Sequence, residues 1–156
     1  MKKILFTLIL AVFISANGIA QENLTWHTDM NEAFEIATKE NKTLMLFFTG
    51  SDWCGWCKRL QKEVLNTNDF EKWAKDKVVL VELDFPRRTP QDPTVKAQNS
   101  QMQRMFKVRG YPTIHFAKPE ITSEGSKNLN SLGSTGYVRG GTQKWLDVAN
   151  NIVKVN

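Results

Sequence analysis

The chain has 156 residues, with 21 Lys and Arg against 16 Asp and Glu, for a formal net charge of +5. Its tight basic clusters of interest, Lys58-Arg59 and Arg87-Arg88, are not joined by a stripe of Lys and Arg interleaved with aromatics, so they read as solvated faces and argue against nucleic-acid binding. It has only two cysteines, Cys54 and Cys57, and a disulfide between them would close almost no loop, which makes structural stapling a poor explanation for them.

The first segment reads as an export signal. Lys2 and Lys3 precede an apolar run from Ile4 to Ile14, and small residues at Gly18 and Ala20 suit a cut after Ala20. The run is too short to span a bilayer comfortably, so a cleaved leader over residues 1–20 is expected rather than an anchor, and the protein is expected to be periplasmic. The remainder, residues 21–156, suits one domain and has a formal charge of +3. Disulfides persist in that compartment. One closely spaced pair there marks a handler of disulfides rather than a user of them.

In the mature chain, Met30, Ala33, Phe34 and Ala37 recur at helical spacing and predict a helix over 29–40. The apolar run Thr43 to Thr49 predicts a strand buried on both faces. Gly50, Ser51 and Asp52 break it, and a second helix is expected from Cys54 to about Leu65. A short helical turn follows over 69–75, carrying Phe70 and Trp73. Val78 to Phe85 predicts another buried strand, and the proline-rich stretch 86–93 a loop. Thr94 to about Lys107 reads as a helix with Met102, Met105 and Phe106 inward. Thr113 to Ala117 reads as a third strand. Residues 119–135, rich in Gly, Ser and Asn, read as a long exposed loop. Tyr137-Val138 predicts a short strand, and Thr142 to Lys154 a last helix with Trp145, Ala149, Ile152 and Val153 on one face. Alternating strands and helices imply an α/β layer fold, and the two late strands can pair as a hairpin.

Trp53-Cys54-Gly55-Trp56-Cys57-Lys58 after a buried strand, followed later by Arg109-Gly110-Tyr111-Pro112-Thr113 before another strand, resembles the thioredoxin superfamily. The stretch from Phe47 to Cys57 looks closer still to an exported thiol:disulfide reductase and isomerase-like (DsbH-like) group. The resemblance covers most of residues 25–155. It implies a thioredoxin fold, with a central mixed sheet of four to five strands flanked by helices on both faces.

The resemblance implies that Cys54 is the exposed nucleophile and Cys57 the resolving thiol. Cys54 is expected where a strand ends and a helix begins, and backbone N–H groups and the helix dipole there favour a thiolate. Pro112 resembles the family's cis-proline, whose loop faces the first cysteine and offers backbone hydrogen bonds to an extended substrate. Substrate contacts are therefore expected from Trp53, Gly55, Trp56, Gly110, Tyr111, Pro112 and Thr113, with Tyr111 beside the sulfurs. Many thioredoxins place a buried acid six residues before the first cysteine. Phe48 stands at that count here, and water, Asp52 or Asp84 are the candidate replacements. Glu82 and Asp84 otherwise read as exposed-face or strand-end residues.

A structural zinc site would need two more ligands, and His27 and His115 are not at ligand spacing, so no metal is expected. No G-x-G-x-x-G motif is present, so no nicotinamide or flavin cofactor is expected beyond the redox-active pair itself. Expected partners are protein or peptide disulfides and an electron donor, such as a membrane relay. The length leaves no room for an added dimerisation domain, and a monomer is expected. Trp56 carries no charge between the cysteines, which points to a reductase rather than a strong oxidant. An isomerase or oxidase at the same site, and a redox-switched binding or chaperone-like protein, are the competing readings.

Overall fold

The computed structural model describes residues 24–154, and the expected leader at 1–20 lies outside them. In chain order the elements are β1 (Trp26–His27), α1 (Met30–Lys39), β2 (Thr43–Thr49) and α2 (Gly55–Leu60), which continues as a π-helical turn over Gln61–Leu65. Then follow α3 (Asn68–Lys77), β3 (Val78–Asp84), α4 (Pro93–Met105), β4 (Thr113–Ile121), β5 (Lys127–Thr135) and α5 (Gly141–Val153).

The five strands form one mixed sheet in the order β1-β3-β2-β4-β5. β3 runs parallel to both β1 and β2, whereas β4 is antiparallel to β2 and to β5. β2 is central and all seven of its residues are buried, which is why its sequence is a continuous apolar run rather than an alternating one. Its side chains still alternate between faces. Met45 and Phe47 join a core with Leu60, Val64, Phe70, Phe116 and Trp145, under α2, α3 and α5. Leu44, Leu46 and Phe48 join the opposite core with Ala33, Ala37, Met102 and Phe106, under α1 and α4.

Local chemistry sets the helix starts. Asp29 caps α1 by accepting from the amides of Asn31 and Glu32, and Asp92 caps α4 by accepting from Thr94 and Val95. Pro93, expected in the preceding loop, instead opens α4, where a missing amide hydrogen costs nothing. Thr67 caps α3, which is a full ten-residue helix rather than a short turn.

Three further expectations are corrected. Residues 119–135 are not a loop: β4 runs on to Ile121, and β5 pairs with it from Lys127 to Thr135 around a tight turn. β5 is an edge strand whose side chains are mostly exposed, so its pairing rests on backbone hydrogen bonds and leaves no apolar alternation to read. Tyr137 and Val138 follow the end of β5 and form no strand. Met105 is 51% exposed rather than inward, whereas Met102 and Phe106 are buried as expected.

Candidate active site

The cysteines sit at the C-terminal end of the central strand. Gly50 to Trp53 turns the chain out of β2, and the Cys54 amide donates to the Gly50 carbonyl at 2.8 Å. Cys54 is the N-cap of α2, and its Sγ accepts the Cys57 amide at 3.2 Å. A serine or aspartate oxygen usually fills that position, and here a sulfur takes it. Cys54 and Cys57 are joined as a disulfide, with their Cα atoms 5.3 Å apart. Cys57 is completely buried on the face of Phe47 and Leu60, whereas Cys54 keeps a small exposed surface.

Trp53 is held from several sides. Its indole N–H donates to the Phe85 carbonyl at 2.8 Å, and the Arg87 guanidinium lies 3.6 Å from its ring centre. The indole also lies so close to Gly50 that a Cβ there would come within 2.5 Å of it, which leaves no room for any larger residue at that turn. Asp52 anchors the loop that carries Arg87. Its carboxylate accepts from the backbone amides of Arg87, Arg88 and Thr89, and these bonds, led by Arg87, hold its pKa at about 2. Asp84 similarly accepts from the amide and the hydroxyl of Ser51.

A group with a lowered carboxylate pKa holds its partners fully above its ordinary value near 3.9 and releases them as the pH falls through the lowered one. The 86–89 loop is therefore expected to stay anchored from neutral pH down to about pH 4 and to loosen near pH 2. Asp52→Ala removes the anchor at every pH. Limited trypsin digestion at pH 8 should cut this variant after Arg87 and Arg88 several times faster than the wild type, and equal rates would show that the carboxylate does not hold the loop.

Both candidate acids for Cys57, Asp52 and Asp84, thus tie loops. The count that singled out Phe48 also needs correction. Phe48 lies in the core opposite the cysteines, against Phe85, Phe106 and His115, and Phe47 is the residue that faces their side. On β3 the register partner of Phe47 is Glu82, which faces a crevice of about 170 Å³ lined also by Trp26, Gln61, Leu65 and Asn66. Burial, with a smaller contribution from Asp84, pushes the Glu82 carboxyl up. Gln61 of that crevice stands one helical turn beyond Cys57.

The second predicted segment meets the first through β4. Thr113 pairs with Phe48, which places Gly110 to Pro112 at the same end of the sheet as the cysteine turn. The Tyr111–Pro112 peptide bond is cis, and the Thr113 hydroxyl donates to the Gly110 carbonyl at 2.7 Å. Tyr111 is packed into the domain: its ring meets Trp53 edge-on at 5.7 Å and Phe85 at 5.3 Å, and its hydroxyl accepts from Gln103. Gly55 and Trp56 open α2 on the surface, and Trp56 is 53% exposed.

Sequence reasoning missed the residues that frame Trp56. Tyr137 lies against its ring at 5.3 Å, and the Arg59 guanidinium sits over both rings. Glu63 ties the group together, with one oxygen accepting from Arg59 Nε at 2.7 Å and the other from the Tyr137 hydroxyl. These two donors, Tyr137 first, hold the Glu63 carboxyl below its ordinary range. Only the i,i+4 spacing of Arg59 and Glu63 was legible beforehand. Among the described residues, no group of three or more His, Cys, Asp or Glu is placed to hold a metal ion.

A family model for the thioredoxin-like domain matches residues 30–125. The chain is 32% identical over 137 residues to the disulfide bond reductase DsbH of Chlamydia pneumoniae, covering 88% of this chain and 77% of that protein. It is 29% identical to the thioredoxin-related protein DsbJ of the same organism, covering 85% of this chain but only 41% of that one. A solved structure described as DsbH oxidoreductase superposes with a TM-score of 0.75 at 30% identity, covering 92% of this chain and 94% of the other. A thioredoxin from Thermus thermophilus superposes with a TM-score of 0.59 at 19% identity, covering 83% of this chain and 86% of that one, a likeness of fold. The five-stranded mixed sheet with helices on both faces is a thioredoxin fold, and the chain belongs to the thioredoxin-like family.

Proposed function

We propose that this protein is an exported thiol:disulfide oxidoreductase that reduces protein or peptide disulfides through Cys54 and Cys57. The observation that carries the reading is the placement of Cys54 as a helix N-cap whose sulfur accepts the Cys57 amide, beside a fully buried second sulfur. In the reduced protein the same amide and helix end favour the Cys54 thiolate.

That thiolate attacks one sulfur of a substrate disulfide. The substrate S–S bond breaks, one substrate thiolate leaves, and a mixed disulfide forms at Cys54. Cys57, deprotonated, then attacks the Cys54 sulfur, the mixed bond breaks, and the second substrate thiolate leaves. Two electrons pass from the cysteine pair to the substrate, and the pair ends as the disulfide present in this structure. A thiol donor outside this chain, such as a membrane relay, must reduce it again.

The loop of Gly110, Tyr111, Pro112 and Thr113, with Trp53, Gly55 and Trp56, is assigned to substrate binding. Residues 1–20 are assigned as the signal that delivers the protein to the periplasm, where we expect it to act as a monomer. The uncharged Trp56 and the reductase name of the Chlamydia pneumoniae relative both favour the reductive direction. The test is reduction of insulin by the pre-reduced protein, with precipitation of the released chain as the expected result. Intact insulin beside fully reduced protein would contradict the reading.

A further inference from the structure

We propose that Trp56, Tyr137 and Arg59 form a preformed platform that takes an aromatic side chain next to the attacked cysteine of the substrate, an inference that rests on the oxidoreductase reading above. Among the described residues, the large exposed hydrophobics are Trp56, Met105 and Ile121, and only Trp56 adjoins the cysteines. Trp56 is not a lone exposed apolar side chain: its ring continues into that of Tyr137 beside the cysteine pair, and an apolar patch at such a place suits a binding surface.

The indole is not loose. Tyr137 flanks it at 5.3 Å, Arg59 stands 5.4 Å from its centre and 5.3 Å from the Tyr137 ring, and Glu63 bonds both Arg59 and Tyr137. The segment bearing Tyr137 is held by the Trp145 indole, which donates to the Gly136 carbonyl at 3.0 Å, and it passes so near the Pro112 loop that a Cβ at Gly136 would lie 3.0 Å from the Pro112 carbonyl oxygen. The platform thus belongs to the cysteine helix through Trp56 and lies next to the Pro112 loop at Gly136. A surface already rigid in the free protein loses little entropy on binding.

The chemistry of the occupant follows from the charges. The Arg59 guanidinium stands over the indole, and Glu63 already pairs with it at 2.7 Å, so the patch offers a flat π surface rather than a bare positive charge. Beside it, an open depression of about 290 Å³ is lined by Gly55, Trp56 and Arg59, wide enough for a ring to lie against the indole. Stacked or edge-on aromatic contact suits that surface better than a carboxylate, which would compete with Glu63 for Arg59.

The experiment compares three short peptides of one length, each carrying a disulfide-linked cysteine flanked by Phe, Ala or Asp. With the wild type, kcat/KM for the Phe peptide should exceed that for the Ala peptide by about three- to tenfold, mostly through KM. Trp56→Ala and Tyr137→Ala should bring that ratio close to one, while Tyr137→Phe, which keeps the ring, should retain most of it. Equal rates for Phe and Ala peptides, or preference for Asp, would overturn the platform while insulin reduction continues. Failure of the wild type to reduce insulin or any of the peptides would instead overturn the underlying activity.

Discussion

Cys57→Ser is expected to accumulate covalent adducts through Cys54 and to lose turnover by at least about 10³-fold, the order of loss when a member of a catalytic unit is removed. The reason lies in the geometry at the start of α2. Cys54 has the exposed edge and the amide donor, so it can still attack a substrate disulfide in the variant. The serine hydroxyl left at position 57 cannot displace the mixed disulfide, and the intermediate persists. Cys54→Ser should lose activity to the same extent and capture nothing, because Cys57 has no exposed surface. Non-reducing electrophoresis of each variant after exposure to a protein disulfide, with release of the adduct by dithiothreitol, separates the two. Adducts through Cys57 in the Cys54→Ser variant, and none through Cys54, would reverse the roles assigned here.

Trp145→Ala should destabilise the fold by about 3–5 kcal/mol, the range for truncating a buried large aromatic. Trp145 is wholly buried on α5 and lies within 5.8 Å of Phe70, 6.0 Å of Trp73 and 6.4 Å of Phe116, ring centre to ring centre. It is the common neighbour that joins α3, α5 and β4 on the cysteine face of the sheet. Its indole N–H also bonds the Gly136 carbonyl, which the variant would leave without that partner. Urea unfolding followed by far-UV circular dichroism measures the change. A loss below about 1 kcal/mol would mean that the neighbouring rings close the cavity far better than the usual cost of such truncations implies.

Much of the site was legible because its chemistry is local. Two thiols two residues apart, a strand before them and a helix after them, and a Gly-Tyr-Pro-Thr run ahead of a strand occupy short windows. The caps of α1 and α4, Asp29 and Asp92, are equally local, but only the structure shows them as caps. What escaped is what the tertiary fold creates. Tyr137 meets Trp56 across about half the chain, and neither residue's neighbours announce the contact. β5 escaped because an edge strand needs backbone pairing and not an apolar face. Counting six residues back from Cys54 lands on Phe48, which lies in the core opposite the cysteines. A strand alternates sides at every residue, so a single step in the length of the intervening turn reverses the assignment. Phe47 and Glu82 hold that side instead. Asp52 was legible as an acid near the site but not as an anchor, since its three amide donors come from a loop 35 to 37 residues later.

The reductive reading is tested most directly by the equilibrium of the Cys54–Cys57 pair against a dithiothreitol redox buffer. With no charged residue between the cysteines, the pair is expected to lie closer to thioredoxin, at about −270 mV, than to the strong oxidant DsbA, at about −120 mV. A potential near the second value would make this protein a donor of disulfides and contradict the direction proposed for it.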